Sequence, residues 1–261
     1  GAAGPIECKN PLYLTFDTGH MGVAPLVAEV LARQGVRATF FAAHERTREG
    51  DGSLGEHWAP WWRAMAAQGH EMASHTFDHV YWRADLPGPT PQFRVRPSAG
   101  AAEGREFVYG VADYCAQIGQ AAKRLQEITG KRPLPLFRAP GGKTSGQLLA
   151  AAKSCGYAHV GWAPAGFLGD ELPSEKYSND TLLRKALAGV RRGDILVAHL
   201  GIWSRKDPLY KHFDELIGGL QAKSLCFARI TDQHDLAETE RLGLSQRADQ
   251  RQPLGIAVVA Q

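Results

Sequence analysis

Short runs of β-forming residues alternate with amphipathic stretches along most of the chain, and this alternation limits the fold more than any other feature. Residues 12–16, 36–41, 69–74, 134–138, 157–162, 194–199 and 225–230 read as strands. Between them apolar residues recur at helical spacing. Val23, Leu26, Val27, Val30 and Leu31 form one such set before Gly35. Val111, Tyr114, Cys115, Ile118, Leu125 and Ile128 form another before Gly130. Further helices are predicted over 58–68, 147–153, 180–192 (with Ser178 or Asn179 as cap) and 208–222. Seven strands alternating with helices predict a parallel sheet, either closed into a barrel or open and doubly wound. The pattern lapses over 81–107. Pro87, Pro89, Pro91 and Pro97 predict a long loop excursion there. No GxGxxG or GxxxxGK[ST] run follows the first strand, so dinucleotide and P-loop sites have no support.

The chain has 261 residues, 44% of them hydrophobic. That is ample for a folded core and argues against general disorder. No apolar run approaches the roughly 20 residues of a membrane span. The net charge is +3 and no block of five Lys or Arg occurs, so nucleic acid is not an expected partner. Cys8, Cys115, Cys155 and Cys226 form no CxxC pair, which removes zinc-ribbon and thioredoxin-type readings. They read as buried small hydrophobes, with one disulfide allowed in an exported protein. The opening Gly1-Ala2-Ala3-Gly4 lacks Met and reads as a processed product, so removal of an export segment is an expectation.

The chemistry is carried by the residues that end the strands. Asp17 follows the first, His75 the third, Arg138 ends the fourth and His199 the sixth. In a parallel barrel all strand C-termini open on one face, so these four side chains would share one site. His75 and His79 stand at i and i+4, one face of a helical turn, and neutral imidazoles so placed suit Zn²⁺ or a similar ion. Ten His in the chain make such a pair weak evidence by itself; its place after a strand strengthens it. Arg138 precedes a tight Pro140-Gly141-Gly142 turn and needs an anion, with Asp17 the obvious partner. His199 in an apolar strand is a core histidine taken alone, and a general acid as a member of the converging set.

At these residues the chain resembles the polysaccharide deacetylase family, also called the NodB-homology domain or carbohydrate esterase family four. Thr15-Phe16-Asp17-Thr18-Gly19 resembles the family's TFDDG. His75-Thr76-Phe77-Asp78-His79 matches H-[ST]-x-x-H. Arg138-Ala139-Pro140-Gly141-Gly142 resembles R-x-P-x-G, and the run ending at His199 resembles the motif closing in L-x-H. The resemblance implies a distorted (β/α) barrel of about seven parallel strands, one domain over residues 1–231, with 232–261 as an appendage. It implies metal-dependent removal of N-acetyl groups from amino sugars of a cell-wall or exported glycan, with peptidoglycan foremost, in the periplasm or outside the cell. No protein partner is implied.

By position, His75 and His79 would hold a divalent ion, Zn first, with Co, Ni or Mn as alternatives. Asp17 would be the base, Arg138 its support and His199 the acid. The backbone N–H of Gly141 would help hold the oxyanion. The family's second Asp, a metal ligand, is Thr18 here. Asp17, a water or His20 could fill that place. Asp170 is the nearest candidate for the family's fourth motif, beyond Trp162. Tyr81, Trp82, Phe93, Phe107, Trp58, Trp61, Trp62, Trp162 and Trp203 are candidate walls of a sugar groove, and about half of them are expected to be core. The competing readings are a same-fold hydrolase of a small amide or lipid-linked formamido sugar, a non-catalytic glycan-binding module, and a metal-free hydrolase of this fold.

Overall fold

Six of the seven residues of β1 (Pro11–Asp17) are buried, because strands flank it on both sides and helices cover the sheet. The computed structural model describes residues 8–233. After β1 come α1 (Ala24–Gln34), β2 (Thr39–Ala42), α2 (Ala59–Ala67) and β3 (Glu71–Ser74). Then follow β4 (Val80–Leu86), β5 (Gln92–Pro97), β6 (Phe107–Gly110), α3 (Val111–Thr129), β7 (Leu136–Phe137), α4 (Gly146–Ser154) and β8 (Ala158–His159). The last are α5 (Asn179–Gly189), β9 (Ile195–His199), α6 (Phe213–Gln221), β10 (Cys226–Phe227) and α7 (Ile230–Gln233).

Seven parallel strands form the main sheet in the order β8-β7-β3-β2-β1. The far side of β1 is shared: β10 pairs with Pro11 and Leu12, and β9 with Tyr13 through Asp17. The chain after β8 curls back to β9. There the Ala163 N–H donates to the Ile195 carbonyl at 3.0 Å and the Leu168 N–H to that of Val197 at 3.3 Å. Gly166 allows this approach, since a Cβ there would collide with the Ile195 carbonyl oxygen. The result is the distorted (β/α) barrel, with an irregular segment in place of a regular closing strand.

The 81–107 stretch departs from the predicted loop. It is mostly a three-stranded antiparallel sheet, β4-β5-β6. Pro87, Pro89 and Pro91 sit in the connection between β4 and β5, and Pro97 ends β5, so none interrupts a ladder. Phe93 and Val95 alternate inward along β5 and pack with Val80 on Tyr114 and Ile118 of α3. Smaller departures lie at element ends. The predicted 208–222 helix splits into a 3-10 turn (Leu209–His212) and α6. The predicted 225–230 strand pairs only at Cys226–Phe227 before α7 begins. Ser178 is the cap of α5, its hydroxyl accepting from the Thr181 N–H. Nearly all of the expected 232–261 appendage, with its apolar 256–259 run, lies outside the described residues.

The cysteine expectation is corrected outright. All four are oxidised, as Cys8–Cys226 and Cys115–Cys155. The first ties the start of the chain to the strand beside β1; the second ties α3 to the end of α4. Two such bridges fit a secreted or extracellular protein. No described helix is long and apolar enough to cross a membrane. Unfolded, unreduced protein should show no free thiol and reduced protein four. Replacing both Cys8 and Cys226 by Ser should cost about 2–5 kcal/mol in denaturant unfolding. Reactive thiols before reduction would contradict the pairing.

Candidate active site

Asp17 ends β1 directly beside His199 of β9, its register partner. His75 follows β3, and Arg138 follows β7. Parallel strands therefore bring all four predicted strand-end residues to one mouth of the barrel.

Arg138 is fully buried, and every arm of its guanidinium is used. Nη1 donates to Asp17 Oδ1 at 2.9 Å and to Thr15 Oγ1 at 2.8 Å. Nε donates to the Val160 carbonyl and Nη2 to that of Gly161. The guanidinium also lies 4.2 Å over the Phe41 ring. Asp17 is 3% exposed. Burial alone would push its carboxyl up, but His75, Arg138 and His199 outweigh this and hold it below the ordinary carboxylate range.

His75 and His79 meet across a tight turn rather than on the predicted helical face. Thr76 and His79 both take left-handed conformations, with φ of 62° and 48°. The Thr76 hydroxyl accepts from the Val80 N–H at 2.8 Å and pins the turn. The two rings lie edge to face with centroids 4.8 Å apart. Their partners assign the tautomers. His75 Nδ1 sits 2.7 Å from the Arg138 carbonyl, which can only accept, so Nδ1 carries the proton. Ser98 donates its one hydroxyl proton to the His79 carbonyl, so its oxygen accepts from His79 Nδ1–H. In His79, which burial keeps neutral, Nε2 is left as an acceptor. His75 Nε2 stands 3.6 Å from Asp17 Oδ2, and His79 Nε2 stands 3.9 Å from Glu45 Oε1. Burial drives the His79 pKa down to about 4, so this imidazole is neutral at ordinary pH.

His199 has the opposite character. Asp170 grips it twice: Oδ2 accepts from its backbone N–H at 2.6 Å and Oδ1 from its ring Nδ1–H at 2.7 Å. Burial alone would lower its pKa, but Asp170, Glu171 and Asp17 outweigh this and raise it to about 10. Its Nε2 lies 3.9 Å from Asp17 Oδ2. One mouth thus holds an ionised carboxylate, a neutral imidazole and a protonated one.

The surrounding cavity has a volume of about 200 Å³ and is lined by Gly141, Tyr81, Trp162 and Trp203 among others. Gly141 sits at φ 65° in the turn after Arg138. Burial raises the pKa of the Tyr81 phenol, which stays protonated, and its ring lies 5.1 Å from that of His79. Trp203 is 50% exposed at the rim, with Arg46 stacked over it. The other aromatic candidates belong elsewhere. Trp58, Trp62 and Phe93 are buried in the core, and Trp61, Trp82 and Phe107 pack against it.

Thr18 and His20 each accept a backbone hydrogen bond. The Thr18 hydroxyl oxygen is occupied by the Ala43 N–H at 3.0 Å. His20 Nδ1 accepts from the Gly22 N–H at 2.9 Å, and its ring lines a separate small pocket under Trp203. Glu45, Ser98 and Glu171 also face the cavity and were not expected. Glu45 lies three residues past β2, so extending the strand-end rule to that strand would have found it.

The polysaccharide deacetylase family model matches residues 6–160, more than half of the chain. The chitooligosaccharide deacetylase of Azorhizobium caulinodans is 29% identical over 201 residues, covering 77% of this chain and 78% of that protein. The family 4 carbohydrate esterase from Streptomyces lividans, solved in complex with acetate, is similar with a TM-score of 0.62 at 21% identity. That match covers 87% of this chain and 96% of that one. The family 4 acetyl xylan esterase from Clostridium thermocellum, solved with a cobalt ion, is similar with a TM-score of 0.62 at 22% identity, covering 85% and 88%. The solved structures share the fold, and the residues matched by the family model include Asp17, His75, His79 and Arg138. The chain belongs to the polysaccharide deacetylase family and is a hydrolase of that type.

Proposed function

We propose that the chain removes N-acetyl groups from amino sugars of a cell-wall or exported glycan, with a divalent ion held by His75 and His79. The observation that carries this is the meeting of Asp17, His75, His79 and His199 at one barrel mouth, with His79 held neutral by burial and His199 held charged by Asp170. The residues fit an ion. His75 and His79 both turn Nε2 toward carboxylate oxygens, and in His79 that nitrogen is unprotonated, so acceptor faces acceptor at Glu45. A buried Glu45 oxygen beside them has no hydrogen-bond partner among the described residues. Zn²⁺ suits imidazole and carboxylate donors; Co, Ni or Mn would be accepted by the same set.

An acetamide is a poor electrophile, and a carboxylate held as low as Asp17 is a weak base. When bound, a divalent ion would polarise the acetyl carbonyl and make water acidic, toward a pKa of about 7. The remaining steps belong to the protein. Asp17 takes a proton from the attacking water as its oxygen bonds to the acetyl carbon. Arg138 keeps Asp17 in place through the transfer. The Gly141 N–H donates to the oxyanion, worth about 3 kcal/mol for such a donor. His199 Nε2 then gives its proton to the nitrogen as the carbon–nitrogen bond breaks, releasing acetate and a free amine. Tyr81, Trp162 and Trp203 offer ring faces to the sugar.

Peptidoglycan is the polymer we infer first, which places the enzyme in the periplasm or outside the cell. The name of the Azorhizobium relative favours a chitooligosaccharide instead. Acetate release from both glycans, with and without chelator, tests the reading. Release that chelator abolishes supports it; release from neither glycan, or release that chelator leaves intact, contradicts it.

Asp17→Asn should lower kcat by about 10²–10⁴-fold while the protein stays folded. Retained turnover would place the base elsewhere. His199 titrates above its ordinary 6.5, so its charge, and the stability that charge brings, are present at low pH and lost as pH rises toward about 10. The alkaline limb of kcat/KM should therefore lie well above 6.5, and Asp170→Asn should move it down. A limb that Asp170→Asn leaves in place would contradict the pairing.

A further inference from the structure

We propose that Glu45 is the third protein ligand of the ion, the carboxylate that replaces the one absent at Thr18. This rests on the reading that His75 and His79 hold that ion. Glu45 reaches the site from the neighbouring stave, in the loop after β2. Its side chain is 20% exposed, and Oε1 faces His79 Nε2 at 3.9 Å. Both atoms are acceptors, since His79 keeps its proton on Nδ1 for Ser98. Glu45 Oε2 is buried and has no hydrogen-bond partner among the described residues. A cation between the carboxylate and the imidazole satisfies all three atoms.

The loop is built to hold this position. The Glu45 N–H donates to Ser53 Oγ at 2.9 Å, and the Ser53 N–H returns to the Glu45 carbonyl at 2.8 Å. One residue earlier, the His44 N–H donates to the Phe77 carbonyl at 2.7 Å. That bond fastens the Glu45 loop to the His75–His79 turn itself. The loop and the histidines therefore keep a fixed relation.

Asp17 is the rival carboxylate, since its Oδ2 lies 3.6 Å from His75 Nε2. Its charge is already balanced. Arg138 occupies Oδ1 at 2.9 Å, and protonated His199 stands on the other side. A cation gains least from a carboxylate so neutralised, and most from Glu45, whose ion-pair contact is with an imidazole rather than a guanidinium. Donors around a tetrahedral ion at 2.0–2.2 Å lie about 3.4 Å from one another. No trio of His, Cys, Asp or Glu among the described residues stands at ligand spacing. Glu45 must move in by about half an ångström on that geometry, which its flexible, partly exposed side chain allows. Two His and one Glu then leave a fourth position for water or substrate, a ligand set that suits catalytic zinc.

The test uses the full chain stripped with chelator and titrated with Zn²⁺ and with Co²⁺, read by calorimetry and by visible absorption. Wild type should bind one ion, and His75→Ala none. Glu45→Gln keeps shape and removes charge. It should weaken binding by more than the ~100-fold that loss of an outer partner brings, and change the Co²⁺ spectrum. Asp17→Asn should bind close to wild type. Wild-type affinity and spectrum in Glu45→Gln, with binding lost in His75→Ala, would overturn the Glu45 assignment and leave the histidine reading intact. No binding by wild type would remove both. A zinc-loaded crystal structure of the unmodified chain needs no variant. A Glu45 oxygen at about 2.0–2.2 Å from the ion supports the assignment, and an ion bound without Glu45 overturns it.

Discussion

A guanidinium with no access to water must find an anion and enough carbonyl oxygens inside the fold, and the site is arranged around how Arg138 does so. Its charge is neutralised by Asp17, and its remaining N–H groups are spent on Thr15, Val160 and Gly161. Removing one partner of such a pair leaves a buried charge uncompensated, at roughly 3–5 kcal/mol. Both partners are thereby held in place. The pair joins β1 to the end of β7 and to the segment beyond β8, strands that are not neighbours in the sheet. It fixes the base and bridges the barrel mouth in one interaction.

Arg138 acts a second time through its backbone. Its carbonyl accepts from the His75 Nδ1–H and so turns Nε2 toward Asp17. One residue thus sets the charge of the carboxylate and the tautomer of the imidazole beside it. Ser98 does the same for His79, and Asp170 does the reverse for His199 by keeping it charged. Histidines of identical chemistry thus reach one cavity in different states, His79 neutral and His199 charged, because burial decides the first and the Asp170 carboxylate the second. Hydrolysis of an amide needs that inequality: a proton must leave water on one side and reach nitrogen on the other.

Much of this was legible in the chain. The strand-end positions of Asp17, His75, Arg138 and His199 follow from the alternating pattern, because parallel strands can only end on one face. The pairing of Asp17 with Arg138 follows from the cost of a buried charge. The β4-β5-β6 sheet was less legible, because its prolines lie at turns and ends, where they read as loop while leaving the alternation of Phe93 and Val95 intact. The bridges Cys8–Cys226 and Cys115–Cys155 join residues 218 and 40 apart, and spacing alone does not pair them. Glu45 lies three residues beyond its strand, at the margin of the strand-end rule, and the loop's bonds to Ser53 and Phe77 are what show it held at the mouth. Nothing in sequence shows that the Thr18 hydroxyl accepts from the Ala43 N–H, or His20 Nδ1 from the Gly22 N–H.

The account rests on the proton inventory of the three imidazoles, and nitrogen-15 NMR of the histidine rings reads it directly in the metal-free chain at neutral pH. His75 and His79 should each carry a proton on Nδ1, His79 with Nε2 bare, and His199 should carry one on both nitrogens. A His75 without its Nδ1 proton, an Nε2–H tautomer at His79, or a neutral His199 would contradict the division of labour on which the proposed chemistry depends.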